Sequence, residues 1–207
     1  MPAGVAATPV PSVRSVLSGV DDQAFRAVLG RFASGVTVLS AVHETDDGVR
    51  DHAITVSAFT SVSLKPPLVL VCVDIHNRFH EPVLAAGLWG VSVLRQPGHP
   101  VASWLATRGR PLGHQLDEVA HHRGPATGAV MIDDAVAWLE CRTWAAYDGA
   151  DHTILVGEVV SAAVAGTDDP LLYYRSHYGA LVRWPVSERG LDPAAPGSAP
   201  SSGSGDG

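Results

Sequence analysis

Apolar residues Phe25, Val28, Leu29 and Phe32 recur at i, i+3, i+4 and i+7, one face of a helix of period 3.6. Asp21 is the N-cap candidate, because a carboxylate there accepts from the free N–H groups of the first turn. Gly35 is expected to end the helix. Past it, Val, Ile, Thr and aromatic residues gather into runs that predict strands near 36–42, 52–58, 67–74, 89–94, 136–147 and 152–165. Residues 136–147 alternate, with Trp138, Glu140, Arg142 and Trp144 on one face and Ala137, Leu139, Cys141 and Thr143 on the other. Gly157 sits inside the last run, where glycine marks a bulge or a close backbone approach. Short helices fit near 80–87 and 98–107, while 108–129 reads as an irregular insertion with room for one helical turn. Helices inserted between strands, rather than alternating with them, predict a mainly β fold. A closed antiparallel barrel is favoured over a doubly wound sheet.

The ends break this pattern. Three prolines interrupt residues 1–20, and 187–207 (SERGLDPAAPGSAPSSGSGDG) carries too little apolar surface to offset the entropy of ordering. Both are expected to be flexible, leaving one domain over 21–186 of the 207 residues. Only 17% of the residues are charged, which points to surface hidden against a second copy or a ligand. The net charge is −7, with a single lysine, Lys65, and no basic stripe, so nucleic acid is not an expected partner. The longest apolar run, PLVLVCV, is too short for a membrane span, and MPAGVAATPV lacks the basic residues of a signal peptide. Cys72 and Cys141 lie in predicted strands without CxxC spacing and read as buried thiols of a cytoplasmic protein.

Three segments carry candidate chemistry. ITVSAFTSVSLKPP (54–67) places Thr55, Ser57, Thr60, Ser61 and Ser63 close together, and hydroxyls interleaved with backbone N–H groups suit phosphate oxygens. A Thr/Ser-rich strand with a solvated face explains the same pattern. DGADHTILVGE (148–158) sets Asp151 beside His152, which would orient an imidazole for proton transfer or substrate contact, or simply make a turn. LLYYRSHYG (171–179) offers Tyr173, Tyr174 and Tyr178 with Arg175, either to hold a planar anionic ligand or to pack a core. His76 and His80 are four apart but flank Asn77 and Arg78 in a predicted loop, and no metal site is expected there. GxSxG, GxGxxG and GxxxxGK[ST] are absent from the sequence.

In order, FRAVLGRFASGVTVLSA, ITVSAFTSVSLKPPLVLVCVD, GADHTILVGEV and PLLYYRSHYGAL resemble the flavin reductase family of two-component monooxygenase systems, over roughly residues 22–184. The resemblance implies a homodimer with the FMN-binding split-barrel fold, a six-stranded antiparallel barrel with a few flanking helices. It also implies an NAD(P)H:flavin oxidoreductase that reduces FMN or FAD by hydride transfer and passes reduced flavin to a separate monooxygenase. Carried over by position, Thr55, Val56, Ser57 and Ala58 would line the isoalloxazine and ribityl chain. Ser61, Val62 and Ser63 would approach the phosphate, with Thr37 and Val38 flanking the ring. Asn77, Arg78 and Phe79 match a loop that closes over the phosphate or adenylate end. His152 would face the nicotinamide of NADH or NADPH as the catalytic candidate, and Tyr174 and Arg175 match a tail block near the same cleft.

The chain departs from the family at Ser34, where many relatives have Thr, and at Ala53-Ile54-Thr55, which replaces Gly-Met-Thr. It also has Ala150 where the family has Gly, and a left-handed turn there would shift His152. Two other roles fit the same fold: a flavoprotein that keeps its flavin for its own redox or oxygenation chemistry, and a non-catalytic flavin-binding module.

Overall fold

The computed structural model describes residues 19–46 and 48–183. Apart from Gly19 and Val20, the expected flexible ends lie outside the described residues. Helix α1 (Asp22–Leu29) leads into β1 (Ser34–Gly35), β2 (Thr37–Thr45), β3 (Gly48–Val56), β4 (Phe59–Leu64) and β5 (Pro67–Asp74). Next come α2 (His80–Ala86), β6 (Leu88–Leu94), α3 (His99–Ala106), β7 (His121–Arg123) and β8 (Val130–Ile132). The long strands β9 (Ala135–Asp148) and β10 (His152–Val164) precede a hairpin of β11 (Leu172–Tyr174) and β12 (His177–Gly179).

The protein is mainly β, and seven strands form its main antiparallel sheet, in the order β3-β2-β6-β9-β10-β5-β4. The additional strand is β4. The chain breaks at Ser57–Ala58 rather than running on as the 52–58 pattern suggested, and the hydroxyl-rich 59–64 segment then pairs with β5. Phe59, Thr60 and Val62 favour a strand there, and β5 supplies the ladder. Two smaller sheets, β1-β11-β12 and β7-β8, flank the main one.

Asp21 caps α1, its Oδ1 accepting from the Ala24 N–H at 2.8 Å. The helix ends earlier than expected, at Leu29, where Gly30 donates to the Arg26 carbonyl at 2.9 Å and leaves Phe32 outside it. Its apolar side chains stay largely exposed among the described residues, Phe25 at 56% and Val28 at 66%.

Side chains from β2, β3, β5, β6, β9 and β10 meet in one core cluster that includes Leu39, Ile54, Val71, Trp89, Cys141 and Leu155. A second cluster joins Val36, Val38, Ala53, Leu94, Leu105 and Leu171, and seats α3 against the sheet. Burial and the neighbouring Glu140 push the Cys141 thiol up to about 12, so it is inert packing. The strict alternation expected of β9 fails at Glu140. This carboxylate is buried, where it accepts from the Ala126 N–H, the Thr127 N–H and the Thr127 hydroxyl at 2.9, 2.6 and 2.8 Å. Three donors offset the loss of water around the charge.

Gly157 has the role its position suggested. The β10–β9 register shifts at Val156/Gly157, and a Cβ on Gly157 would lie 2.3 Å from the Trp89 ring. Trp89 is fully buried and tied through Nε1 to the Thr143 hydroxyl at 3.2 Å, so it cannot swing away. Gly157→Ala should therefore cost about 1–3 kcal/mol by overpacking. Gly179→Ala, with nothing within 4 Å of its Cβ position, should stay within about 0.5 kcal/mol. Denaturant unfolding of the two variants beside the parent checks the contrast.

Candidate functional site

Three segments enclose a cleft of about 510 Å³: the end of β3, the turn from β5 into α2, and the stretch from the end of α3 to Gln115. The volume lies within the range of about 300–1,000 Å³ common for small-ligand sites. The turn is built by its own side chains. The Asp74 carboxylate accepts from the His76 N–H at 2.8 Å, and the Asn77 side-chain carbonyl from the Phe79 N–H at 2.9 Å. Phe79 is anchored in the core beneath. These contacts leave the Arg78 side chain on the wall, where Nη2 donates to the Arg110 carbonyl at 2.9 Å.

The opposite wall belongs to the segment read as an irregular insertion, and buried hydrogen bonds order it. Arg110 reaches across to the carbonyl of Ala53 on β3, and also bonds the Thr107 carbonyl at 3.1 Å and the Gln115 side chain at 3.2 Å. Gln115 in turn donates to the Asp51 carbonyl at 2.7 Å, and the Trp104 indole donates to the Gln115 carbonyl at 2.7 Å. Arg110 is 8% exposed, yet every one of these acceptors is neutral. Among the described residues its Nε has no partner, and neither has Nδ1 of buried His52, which lines the same cleft.

Arg78, Arg108 and Arg110 thus face Asp74 as the one carboxylate on the wall. The chain as a whole is acidic, so this local excess of positive charge selects anions where most of the surface repels them. Burial, reinforced by Arg78, lowers the affinity of Arg110 for its proton. An anion in the cleft would reverse that cost.

Of the residues singled out from sequence, Thr55, Asn77, Arg78 and Phe79 line the cleft. The Thr55 hydroxyl donates to the Ala102 carbonyl at 2.8 Å, so toward a ligand it only accepts. Thr37 and Val38 do not line a surface. The Thr37 hydroxyl is spent on the Val56 carbonyl at 2.8 Å, Val38 is enclosed in the second core cluster, and Val56 packs in the first. Ser57 and Ala58 stand exposed just beyond Thr55, whereas Ser61, Val62 and Ser63 lie along β4, outside the cleft. The Ser63 hydroxyl accepts from the Lys65 N–H at 3.2 Å.

His152 opens β10 directly opposite Asp74, which puts it beside the cleft's rim. Its Nδ1 is 2.8 Å from Asp151, and that hydrogen bond, with the imidazole charge, holds the Asp151 carboxyl below its ordinary range. The turn before it keeps the left-handed conformation, with Ala150 at φ 71° and its N–H donating to Asp148 at 2.8 Å. Tyr174 and Arg175 are elsewhere. Arg175 and Ser176 form a two-residue turn with φ of 49° and 64°, and the Arg175 N–H docks on the Gly30 carbonyl below α1 at 2.9 Å. The residues sequence reading passed over are His52, Arg108, Arg110 and Gln115. The Arg-Gly-Arg-Pro run at 108–111 was the available signal, a dense pair of cations in a chain poor in charge.

The flavin reductase like domain matches residues 29–182 of the chain. The reductase component of a 4-nitrophenol 4-monooxygenase/4-nitrocatechol 2-monooxygenase of Rhodococcus opacus is 38% identical, over 83% of this chain and 88% of that protein. Among solved structures, BorF, the flavin reductase component of a bacterial two-component tryptophan halogenase, superposes with a TM-score of 0.72 at 39% identity. That alignment covers 79% of this chain and all of the other. The Streptomyces globisporus NADH:FAD oxidoreductase SgcE6, solved with NAD and FAD fragments, gives a TM-score of 0.72 at 34% identity, over 78% and 93%.

Two stability effects follow. Ala150→Gly should stabilise the fold by about 0.5–1 kcal/mol, relief of the left-handed strain exceeding glycine's added unfolded entropy. Thermal unfolding measures it. Burial holds the folded His52 below the ordinary histidine value, with His43 and Arg50 adding to the effect. Below about pH 6.5 the unfolded chain therefore binds a proton that the folded chain refuses. Stability should fall as pH drops through that window and be unaffected by this group above it. His52→Gln should flatten this part of the profile in denaturant titrations between about pH 5 and 8.

Proposed function

The chain belongs to the family of flavin reductase like domains, and from that membership and the cleft we propose how it works as a flavin reductase. It is an NAD(P)H:flavin oxidoreductase that supplies reduced flavin to a separate monooxygenase. The observation that carries the site assignment is the buried, anion-starved Arg110 on a cleft whose other wall holds Asn77 and Arg78. Those residues fit the phosphate-bearing part of FMN or FAD. A bound flavin supplies the redox chemistry, accepting a hydride from a reduced nicotinamide and carrying both electrons away.

The protein's contribution is position. Arg78 would hold the phosphate, Thr55 would accept from the ribityl chain, and the exposed Ser57–Ala58 backbone would border the ring. Ser61, Val62 and Ser63, on β4, extend that border outside the cleft. His152, oriented by Asp151 at the rim, contacts the nicotinamide of NADH or NADPH. Tyr174 and Arg175 do not line this cleft, and the Arg175 N–H bonds to the Gly30 carbonyl after α1.

The fold reading is finer than the sheet order alone. Six strands, β2, β3, β5, β6, β9 and β10, give buried residues to one cluster, as the wall of a split barrel does, and β4 adds only the partly buried Phe59 at its edge. The uncovered apolar face of α1 favours a homodimer, whose mass in solution would be twice 21.6 kDa. No helix among the described residues is long and apolar enough to cross a membrane, and the chain is taken to work in the cytoplasm.

Oxidation of NADH and NADPH by the purified chain, with and without added FMN or FAD, tests the reading. Turnover should saturate with free flavin. A chain that holds flavin through dialysis but oxidises neither nucleotide would contradict it. His152→Ala should lower kcat/KM for the nicotinamide by about 10-fold or more, with flavin affinity within a few-fold.

A further inference from the structure

The first two residues of β10 are tied to the rest of the fold in different ways. In the ladder with β5, His152 lies opposite Asp74 and Thr153 opposite Val73. Successive side chains of a strand leave on opposite faces. His152 therefore shares a face with Asp74, which lines the cleft. Thr153 shares the other with Val73, which packs in the first core cluster with Phe79 and with Val83 of α2. On that face the Thr153 hydroxyl lies 2.7 Å from Nε2 of His80, the first residue of α2, in a part-buried pair. His152 has no such support of its own. Its one side-chain hydrogen bond among the described residues runs to the adjacent Asp151, whose side chain is 82% exposed. The β5–α2 turn, by contrast, is braced by Asp74, Asn77 and buried Phe79. His80 joins that turn only through its backbone N–H, which donates to the Asn77 carbonyl at 2.9 Å and survives loss of the ring.

We propose that His80 is a positioning residue for the reductase reaction: by holding Thr153 on the α2 face it sets the aim of His152 on the cleft face. His80 does not line the cleft, so it acts through β10 and not on a cofactor. Its role rests on the assignment of His152 to the nicotinamide and adds the contact that fixes the strand end carrying it.

The test pairs NMR of the full-length chain, free of flavin and nucleotide, with steady-state kinetics of His80→Ala, His80→Gln and Thr153→Val. Valine keeps the β-branched shape that suits a strand, so Thr153→Val should fold. The imidazole signals of His152, identified by their loss in His152→Ala, should move in His80→Ala. They should return in His80→Gln, whose amide nitrogen reaches the place of Nε2. In His80→Ala and in Thr153→Val, kcat/KM for NADH should fall about 5- to 20-fold, with KM for the flavin within about twofold. His80→Gln should recover most of the loss. The double variant of His80→Ala with Thr153→Val should be no worse than either single one, because both remove the same bond. His152 signals that stay in place, with NADH kinetics at the parent's level, would overturn the role of His80. A loss shared equally by NADH and flavin, or left uncorrected by glutamine, marks general packing and would overturn it too. Should His152→Ala leave NADH use unchanged, the nicotinamide assignment fails and His80's role with it. A loss confined to His152→Ala leaves that assignment standing and overturns the role of His80 alone.

Discussion

Arg110 holds the functional half of this molecule together. A guanidinium from a segment with no regular secondary structure crosses to the backbone of β3, and Gln115 repeats the connection to the residue two positions earlier. Without these bonds the stretch from Thr107 to Gln115 has no ladder to join, and the cleft loses one wall. The arrangement is costly by itself, because a buried cation satisfied only by neutral carbonyls and an amide keeps several kcal/mol of desolvation penalty. An anionic ligand lowers that penalty. Stability of the wall and affinity for a phosphate-bearing ligand are thus the same electrostatic quantity seen from two sides.

The frame behind the cleft has a different origin. Trp89 fills the space above Gly157, and the register shift at that glycine bends β10 where β9 and β5 must both follow it. Strands from opposite halves of the sheet order meet in one cluster, to which β3 gives Ile54 and Val56 and β5 gives Val69, Val71 and Val73. The curved sheet delivers Thr55 at the end of β3 and Asp74 at the end of β5 to the same opening. Packing therefore positions the cleft, and charge gives it a ligand class.

Much of this was legible in the residues. The 3.6 period located α1, runs of Val, Ile, Thr and aromatic residues located the long strands to within a few positions, and the gaps between those strands left room for α2 and α3. Resemblance to the flavin reductase family pointed to Thr55, Asn77, Arg78 and Phe79, all on the cleft wall. What was hidden depended on contacts between residues far apart in sequence. The bond from Arg110 to Ala53 spans 57 positions and leaves no periodic trace, so its segment read as an insertion. Strand β4 was missed because its hydroxyl side chains are exposed and only pairing with β5 makes it a strand. Val38 was carried over by position from the resemblance, which says nothing of the side-chain packing that encloses it in the second core cluster.

The account stands or falls on where the phosphates go. A crystal structure of the full chain grown with FAD is the most direct measurement. The account predicts phosphate oxygens within hydrogen-bonding distance of Arg78 and of Arg108 or Arg110, with the ring toward Ser57–Ala58. Phosphates bound instead against Ser61 and Ser63 on β4, with the arginine cleft holding only water, would contradict it.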